Sequence, residues 1–213
     1  MEIRINSQNY MEYIELVAKK IEASKDYVSE LDSITGDGDH WANMNMGFQK
    51  LLESKQELVA MRLGQMFQKI GMLIMSTVGG SSGVLYGSAY LKAAKTIGDK
   101  TEMDIHLLRD VLEAELNAIM ERGNAKPGYK TMIDALYPAV IRLKEAIEKG
   151  LDGHEALQEL KQGAIDGMNS TKDMEAIRGR ACYQANKGVG HIDPGAVTMC
   201  YQIETLVEYL CKS

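Results

Sequence analysis

Proline occurs only three times in the 213 residues, phenylalanine twice and tryptophan once. So little proline leaves few enforced helix breaks. No run of about eighteen uninterrupted apolar residues exists, so no membrane-spanning helix is expected. The opening MEIRINSQNYMEY lacks the basic start and apolar centre of a secretory signal, and the expected location is the cytoplasm. The three cysteines, Cys182, Cys200 and Cys211, have no zinc-ligand spacing, and an odd, sparse count suits a reducing compartment and plain core thiols. A basic excess is also missing: 24 lysines and arginines stand against 30 acidic residues, a formal charge of -6. That balance opposes field-driven binding to nucleic acid or an anionic membrane, so any phosphate ligand must be held by a local site.

What is present is helical patterning. Apolar residues recur at three- and four-residue spacing almost everywhere, and no segment reads as a convincing strand. The first helix is expected from a Ser7 cap to Leu31, with Tyr10, Tyr13, Ile14, Val17, Ala18 and Ile21 on one face. A second starts near Asp39 and runs through LLESK; a third covers Glu57 to Val78. Three more follow in VLYGSAYLKAAKTIG, MDIHLLRDVLEAELNAIMERG and KTMIDALYPAVIRLKEAIEKG, each closed near a glycine, with a kink at Pro138. The seventh spans His154 to Met174. The eighth spans Pro194 to Cys211, with Pro194 at the first helical position after Asp193. Eight helices with short loops predict an all-α antiparallel up-down bundle or barrel. No repeat, low-complexity tract or linker divides the chain, and residues 1–213 are expected to form one domain. The 14 methionines fall at helical spacing and read as core filler.

Four inter-helix loops carry chemistry. LDSITGDGDHWANMNMGF places Asp32, Asp37 and Asp39 within eight residues, with Gly36 and Gly38 between them. Carboxylates so close repel unless a cation holds them. A calcium loop is excluded, because twelve positions counted from Asp37 put Ala42 where glycine belongs and Phe48 where the bidentate glutamate belongs. Magnesium fits better, since it takes a few carboxylates and completes its shell with water and phosphate; the same spacing also suits a solvated loop with Asp39 as a helix cap. GGSSG, Gly79 to Gly83, offers amides and two hydroxyls at a helix start, which suits an anion or a plain turn. GNAKPGYKT is not a phosphate loop of the Walker kind, because Tyr129 separates glycine from lysine and a helix precedes it. GRACYQANKGVGHIDPGA, Gly179 to Ala196, is long enough for a lid. Within it Arg180 suits phosphate, and His191 suits a structural hydrogen bond. In an up-down bundle, alternate connections share one end, which predicts that these loops gather there.

Taken in order, LDxxxGDGDH, N-M, GGSSG-LYG, G-x-A-x-P-G-x-K-T-M-x-D-A-L and GRA-Y…GH-DPGA resemble the nucleotide-binding L subunit of bacterial dihydroxyacetone kinases. The resemblance runs from about residue 31 to residue 197. It implies a barrel of eight antiparallel helices whose loop end holds ADP or ATP through two Mg2+ ions. Asp32, Asp37 and Asp39 match the metal-ligating aspartates. His40, Trp41, Ala42 and Asn43 match the nucleotide-contacting run, and Ser81 and Ser82 the phosphate-binding pair. Gly123 and Met132 match positions around the nucleoside; Arg180, Asp193, Pro194 and Gly195 close the site. Trp41, Tyr129 and Asn186-Lys187-Gly188 depart from the usual glycine, aspartate and Glu-Arg-Ser-like run.

The implied activity is phosphoryl transfer to dihydroxyacetone, or a related short ketose, held on a separate K-type subunit. The implied recharging partner is an M-type phosphohistidine subunit of the phosphoenolpyruvate-dependent system, with ADP retained as a cofactor. A chain that stops at Ser213 with no extra domain favours this mode over ATP exchange. Alternative readings are an ATP-consuming kinase subunit for another ketose and a non-catalytic nucleotide sensor that reports to a transcription regulator.

Overall fold

The computed structural model describes residues 3–212. Among them the chain forms ten α-helices: α1 Ser7–Ala23, α2 Lys25–Thr35, α3 His40–Glu53, α4 Lys55–Val59, α5 Leu63–Thr77, α6 Gly80–Ile97, α7 Ile105–Gly123, α8 Met132–Glu148, α9 Gly153–Ser170 and α10 Pro194–Leu210. The all-α expectation holds. The count rises above eight first because the expected first helix breaks at Ser24; the expected boundary between the second and third helices falls at Ser54, and both residues have φ −91° and ψ near 10° or 5°. The expected third helix is likewise interrupted after Val59 and resumes at Leu63. A two-residue antiparallel bridge, β1 Ile5–Asn6 with β2 Glu102–Met103, is the strand content of the described residues that the helical reading did not contain.

The chain divides into two compact units. The first comprises the chain through Lys19 and Asn43–Gly123; the second comprises Lys20–Ala42 and the chain from Asn124 onward. In the first unit, α5 and α6 cross where glycines remove side-chain bulk. A Cβ built on Gly71 would stand 3.0 Å from the Gly87 carbonyl oxygen, and one built on Gly87 would stand 3.0 Å from that of Gly71. Apolar burial supplies the driving force there. Tyr10, Phe67 and Tyr90 pack as tilted rings, with Phe67 4.5 Å from Tyr10 and 5.4 Å from Tyr90 between centroids. The two tyrosine hydroxyls hydrogen-bond at 3.0 Å, which satisfies both buried phenols at once.

In the second unit, α8 and α9 approach through Gly167. A Cβ there would overlap the Asp134 carbonyl oxygen and stand 2.6 Å from Pro138 Cγ. Pro138 lies inside α8 as its sequence position required. Both helices begin with capping boxes, Thr131 with Asp134 and Asp152 with Glu155. Val28, Leu31 and Val197 form a core cluster joined by Trp41, Met168, Ile192 and Tyr201. Of the cysteines, Cys200 is buried as expected, whereas Cys182 and Cys211 are partly exposed rather than core residues.

Candidate functional site

The aspartate loop is built by the end of one helix and the start of the next. Asp32 lies in the last turns of α2 and is buried at 6% exposure. The Gly36 amide donates to the Asp32 carbonyl at 2.6 Å and ends the helix. A Cβ on Gly36 would overlap Asp32 Oδ1 and lie 3.2 Å from its Cγ, so only glycine lets the chain turn this close to the carboxylate. Gly38 takes φ +79°, a backbone shape that other residues avoid. The result brings ligand oxygens of Asp32, Asp37 and Asp39 all within 4.8 Å of one another.

The start of α3 completes this arrangement. The His40 amide donates to Asp32 Oδ2 at 2.9 Å, so Asp32, from across the loop, meets the first amide of α3. The His40 ring Nε2 lies 2.8 Å from the Thr198 hydroxyl, which in turn donates to the Gly195 carbonyl at 3.2 Å. Burial lowers the His40 pKa from its ordinary value, with Asp32 and Asp39 opposing the shift. His40 thus links the aspartate loop to the start of α10.

That start is the Asp193-Pro194-Gly195 turn. Asp193 Oδ2 accepts from the Ala196 amide at 2.8 Å and caps α10, and Pro194 occupies its first turn as the sequence predicts. The Asp193 amide donates to the Thr171 hydroxyl at 3.0 Å. Burial pushes the Asp193 carboxyl up to about 7, against the lowering effects of the Ala196 amide and Lys130. A Cβ built on Gly195 would stand 3.6 Å from the Met132 amide nitrogen, so this turn and the start of α8 are neighbours.

The loop from Thr171 to Asp193 reaches the aspartates directly. Arg180 Nη2 contacts Asp37 Oδ2 at 2.6 Å, and Gln184 Nε2 donates to the Ile34 carbonyl at 2.6 Å. Its base is tied to the chain before α8. Ile177 donates to the Tyr129 carbonyl at 3.2 Å, Arg178 Nε to that of Asn124 at 3.0 Å, and the buried Lys130 ammonium to the carbonyls of Thr171 and, at 2.6 Å, His191. His191 is engaged through this carbonyl. Asp134 receives the Gly128 amide at 2.5 Å and the Thr131 amide at 2.8 Å, which fixes the turn that carries Lys130.

Within the second unit, therefore, the sequence-predicted Asp32, Asp37, Asp39, His40, Met132, Arg180, Asp193, Pro194 and Gly195 join one connected set. Trp41 has a core role: its indole Nε1 donates to the Ile21 carbonyl at 2.8 Å, and its ring packs on the Val28, Leu31 and Val197 cluster. Ala42, the next residue of α3, is exposed. Asn43, Ser81, Ser82 and Gly123 belong to the first unit. There α6 begins at Gly80 with no side-chain cap, Ser81 is exposed and Ser82 half-buried, and a Cβ on Gly79 would stand 2.8 Å from Asn43 Oδ1. Gly123 ends α7.

Sequence reasoning passed over Lys130, Asp134, Thr171, Thr198 and Gln184. A lysine beside a turn reads as solvated, and its burial depends on carbonyls 41 and 61 positions away. The T-M-x-D spacing at Thr131 to Asp134 did carry a capping-box signal.

Known proteins give the site its context. A family model, the DAK2 domain, matches residues 34–208. The chain is 33% identical over 181 residues to the ADP-binding subunit DhaL of the PEP-dependent dihydroxyacetone kinase of Escherichia coli, covering 85% of this chain and 86% of that one. It is 34% identical over 198 residues to the ADP-binding subunit DhaL of the PTS-dependent dihydroxyacetone kinase of Lactococcus lactis, covering 93% and 95%. A crystal structure of the dihydroxyacetone kinase from C. freundii in complex with AMP-PNP and Mg2+ superposes with a TM-score of 0.71 at 25% identity, covering 93% of this chain. This chain spans about a third of that longer one, 33% of its length. The chain belongs to the DAK2-domain family, in its DhaL-like group of dihydroxyacetone kinase nucleotide-binding subunits.

Proposed function

We propose that this protein is the nucleotide-carrying phosphotransferase subunit of a kinase for dihydroxyacetone or a related short ketose. The observation that carries the reading is the convergence of the Asp32, Asp37 and Asp39 oxygens within 4.8 Å. The donor set is all carboxylate, with no sulfur and no ring nitrogen, which is the chemistry of a hard cation such as magnesium. Asp32 Oδ2 is taken by the His40 amide, so Oδ1 is the oxygen it offers. A pair of Mg2+ ions shared by the three aspartates would supply charge neutralisation on the phosphate oxygens of ADP or ATP.

The chain's own residues do the remaining work. Asp32, Asp37 and Asp39 act as ligands and not as general bases. The free amides at the start of α6, with Ser81 and Ser82, suit phosphate oxygens. The resemblance assigns His40, Ala42, Asn43, Gly123 and Met132 to the nucleotide, with Trp41 acting through the Val28, Leu31 and Val197 core. Arg180, now paired with Asp37, is a donor for phosphate when a cation takes over that carboxylate. In the transfer, the bond from the terminal phosphorus to its bridging oxygen breaks. With ATP bound, ADP is the leaving group; a bond from phosphorus to a ketose hydroxyl oxygen forms, and the hydroxyl proton is released to solvent.

The ketose is assigned to a K-type partner subunit, because the family resemblance places substrate binding on a separate subunit. An M-type phosphohistidine subunit is assigned to recharge ADP in place. The purified protein should retain about one ADP per chain, as slow release from a covered site implies, and should not phosphorylate dihydroxyacetone alone. Gel filtration followed by denaturation and nucleotide chromatography reads the first, and a coupled assay the second. An empty, rapidly exchanging site would remove the cofactor mode; turnover by the single protein would remove the subunit assignment.

A further inference from the structure

We propose that Lys130 is the positioning residue of the nucleotide site, clamping the base of the 171–193 loop so that Arg180 is held over the aspartates. The inference rests on the nucleotide-binding reading above.

Lys130 is 1% exposed and has φ +60°, an uncommon backbone state for a lysine. Its ammonium donates to Thr171, where the loop leaves α9, and to His191, where it returns towards α10. One side chain therefore joins both strands of the loop's base. The backbone closes the same neck through Gly190 N to Lys172 O at 2.8 Å and, further out, Ala176 N to Lys187 O at 2.9 Å. The lysine stem also fills the space beneath the loop. A Cβ on Gly188, at φ +72°, would stand 3.0 Å from Lys130 Cε and 3.2 Å from Ala181 Cβ.

The outer part of the loop is where function enters. Ala181 follows Arg180, and the Gln184 to Ile34 bond fixes the same segment to the aspartate loop. A charge that is expensive to bury is thus spent on holding the segment that carries Arg180 against Asp37. A solvated loop needs no such anchor. Lys130 touches no reacting atom in this account; it acts through Arg180.

The test compares wild type with Lys130→Met by stopped-flow release of a fluorescent ADP in magnesium buffer, by Mn2+ titration without nucleotide, and by hydrogen exchange. Loss of two charge-assisted bonds predicts ADP release faster by about tenfold or more. Mn2+ affinity should not fall, because Lys130 itself touches none of the three aspartates and loosening Arg180 from Asp37 removes a competing cation. Exchange should rise in 172–191 and not in α10. In an Arg180→Gln background the Lys130→Met effect on release should largely vanish, a coupling that general destabilisation does not produce.

If Lys130→Met fails to fold, Gly188→Ala presses on the same stem and should speed release in the same direction. Unchanged release, or full additivity with Arg180→Gln, overturns the proposal. If wild type shows no magnesium-dependent ADP binding, the nucleotide reading itself fails. The exchange data would then decide the clamp: protection of 172–191 unaltered in Lys130→Met overturns it.

Discussion

Gly36→Ala is the substitution in which loop geometry and metal affinity are most tightly joined. The added Cβ overlaps Asp32 Oδ1 and crowds its carbonyl oxygen at 3.1 Å. Gly36 has φ −146°, so a positive φ does not oppose the change. Asp32 cannot simply swing away, because its Oδ2 holds the His40 amide and its side chain is buried. Relief requires the carboxylate to move by about 1 Å, and a displacement of that size costs about a hundredfold where geometry is critical. We expect Mn2+ affinity, read by paramagnetic resonance, to fall by about that factor while the helical circular dichroism is unchanged. Wild-type affinity in Gly36→Ala would refute the reasoning, because it would mean that Asp32 Oδ1 is not a ligand.

Two further outcomes follow from packing and charge. Burial raises the Glu115 carboxyl from its ordinary 4.5 to about 8, so the fold favours the protonated form: that contribution is full below pH 4.5 and is lost as pH rises towards 8. The ceiling is about 5 kcal/mol, and solvent at this half-buried side chain reduces the expected loss to about 2 kcal/mol. Urea denaturation of Glu115→Gln between pH 5 and pH 8.5 should remove this slope, and parallel profiles for variant and wild type would contradict it. Gly167→Ala, which drives a methyl into the Asp134 carbonyl and stands it 2.6 Å from Pro138 Cγ, should cost about 1–3 kcal/mol; thermal melting at wild-type temperature would show that α8 and α9 do not meet there.

Helix existence was legible because period-3.6 patterning and scarce proline left no rival, and the Asp193-Pro194 start of α10 was readable from the chemistry of a cap. The breaks at Ser24 and after Val59 were not. No glycine or proline marks them, and the apolar pattern runs through both, so only packing decides where the helix gives way. The two-residue bridge of β1 with β2 is too short to leave an alternation. At the site, three aspartates interleaved with glycines announced their convergence, since close carboxylates demand a reason. That Asp32 reaches across to the first amide of α3 depends on how the turn closes at Gly36, a steric matter no spacing rule contains. Lys130 was illegible for the same kind of reason: its acceptors are main-chain carbonyls, which carry no residue identity.

The central claim is that the aspartate cluster binds nucleotide through magnesium. Its most direct test is calorimetry of ADP binding to nucleotide-stripped protein, with and without Mg2+, in wild type and Asp37→Ala. Wild type should bind ADP only with magnesium, and the variant should lose about a hundredfold or more in affinity with its helical spectrum intact. Equal magnesium-dependent ADP binding by both proteins would contradict the account.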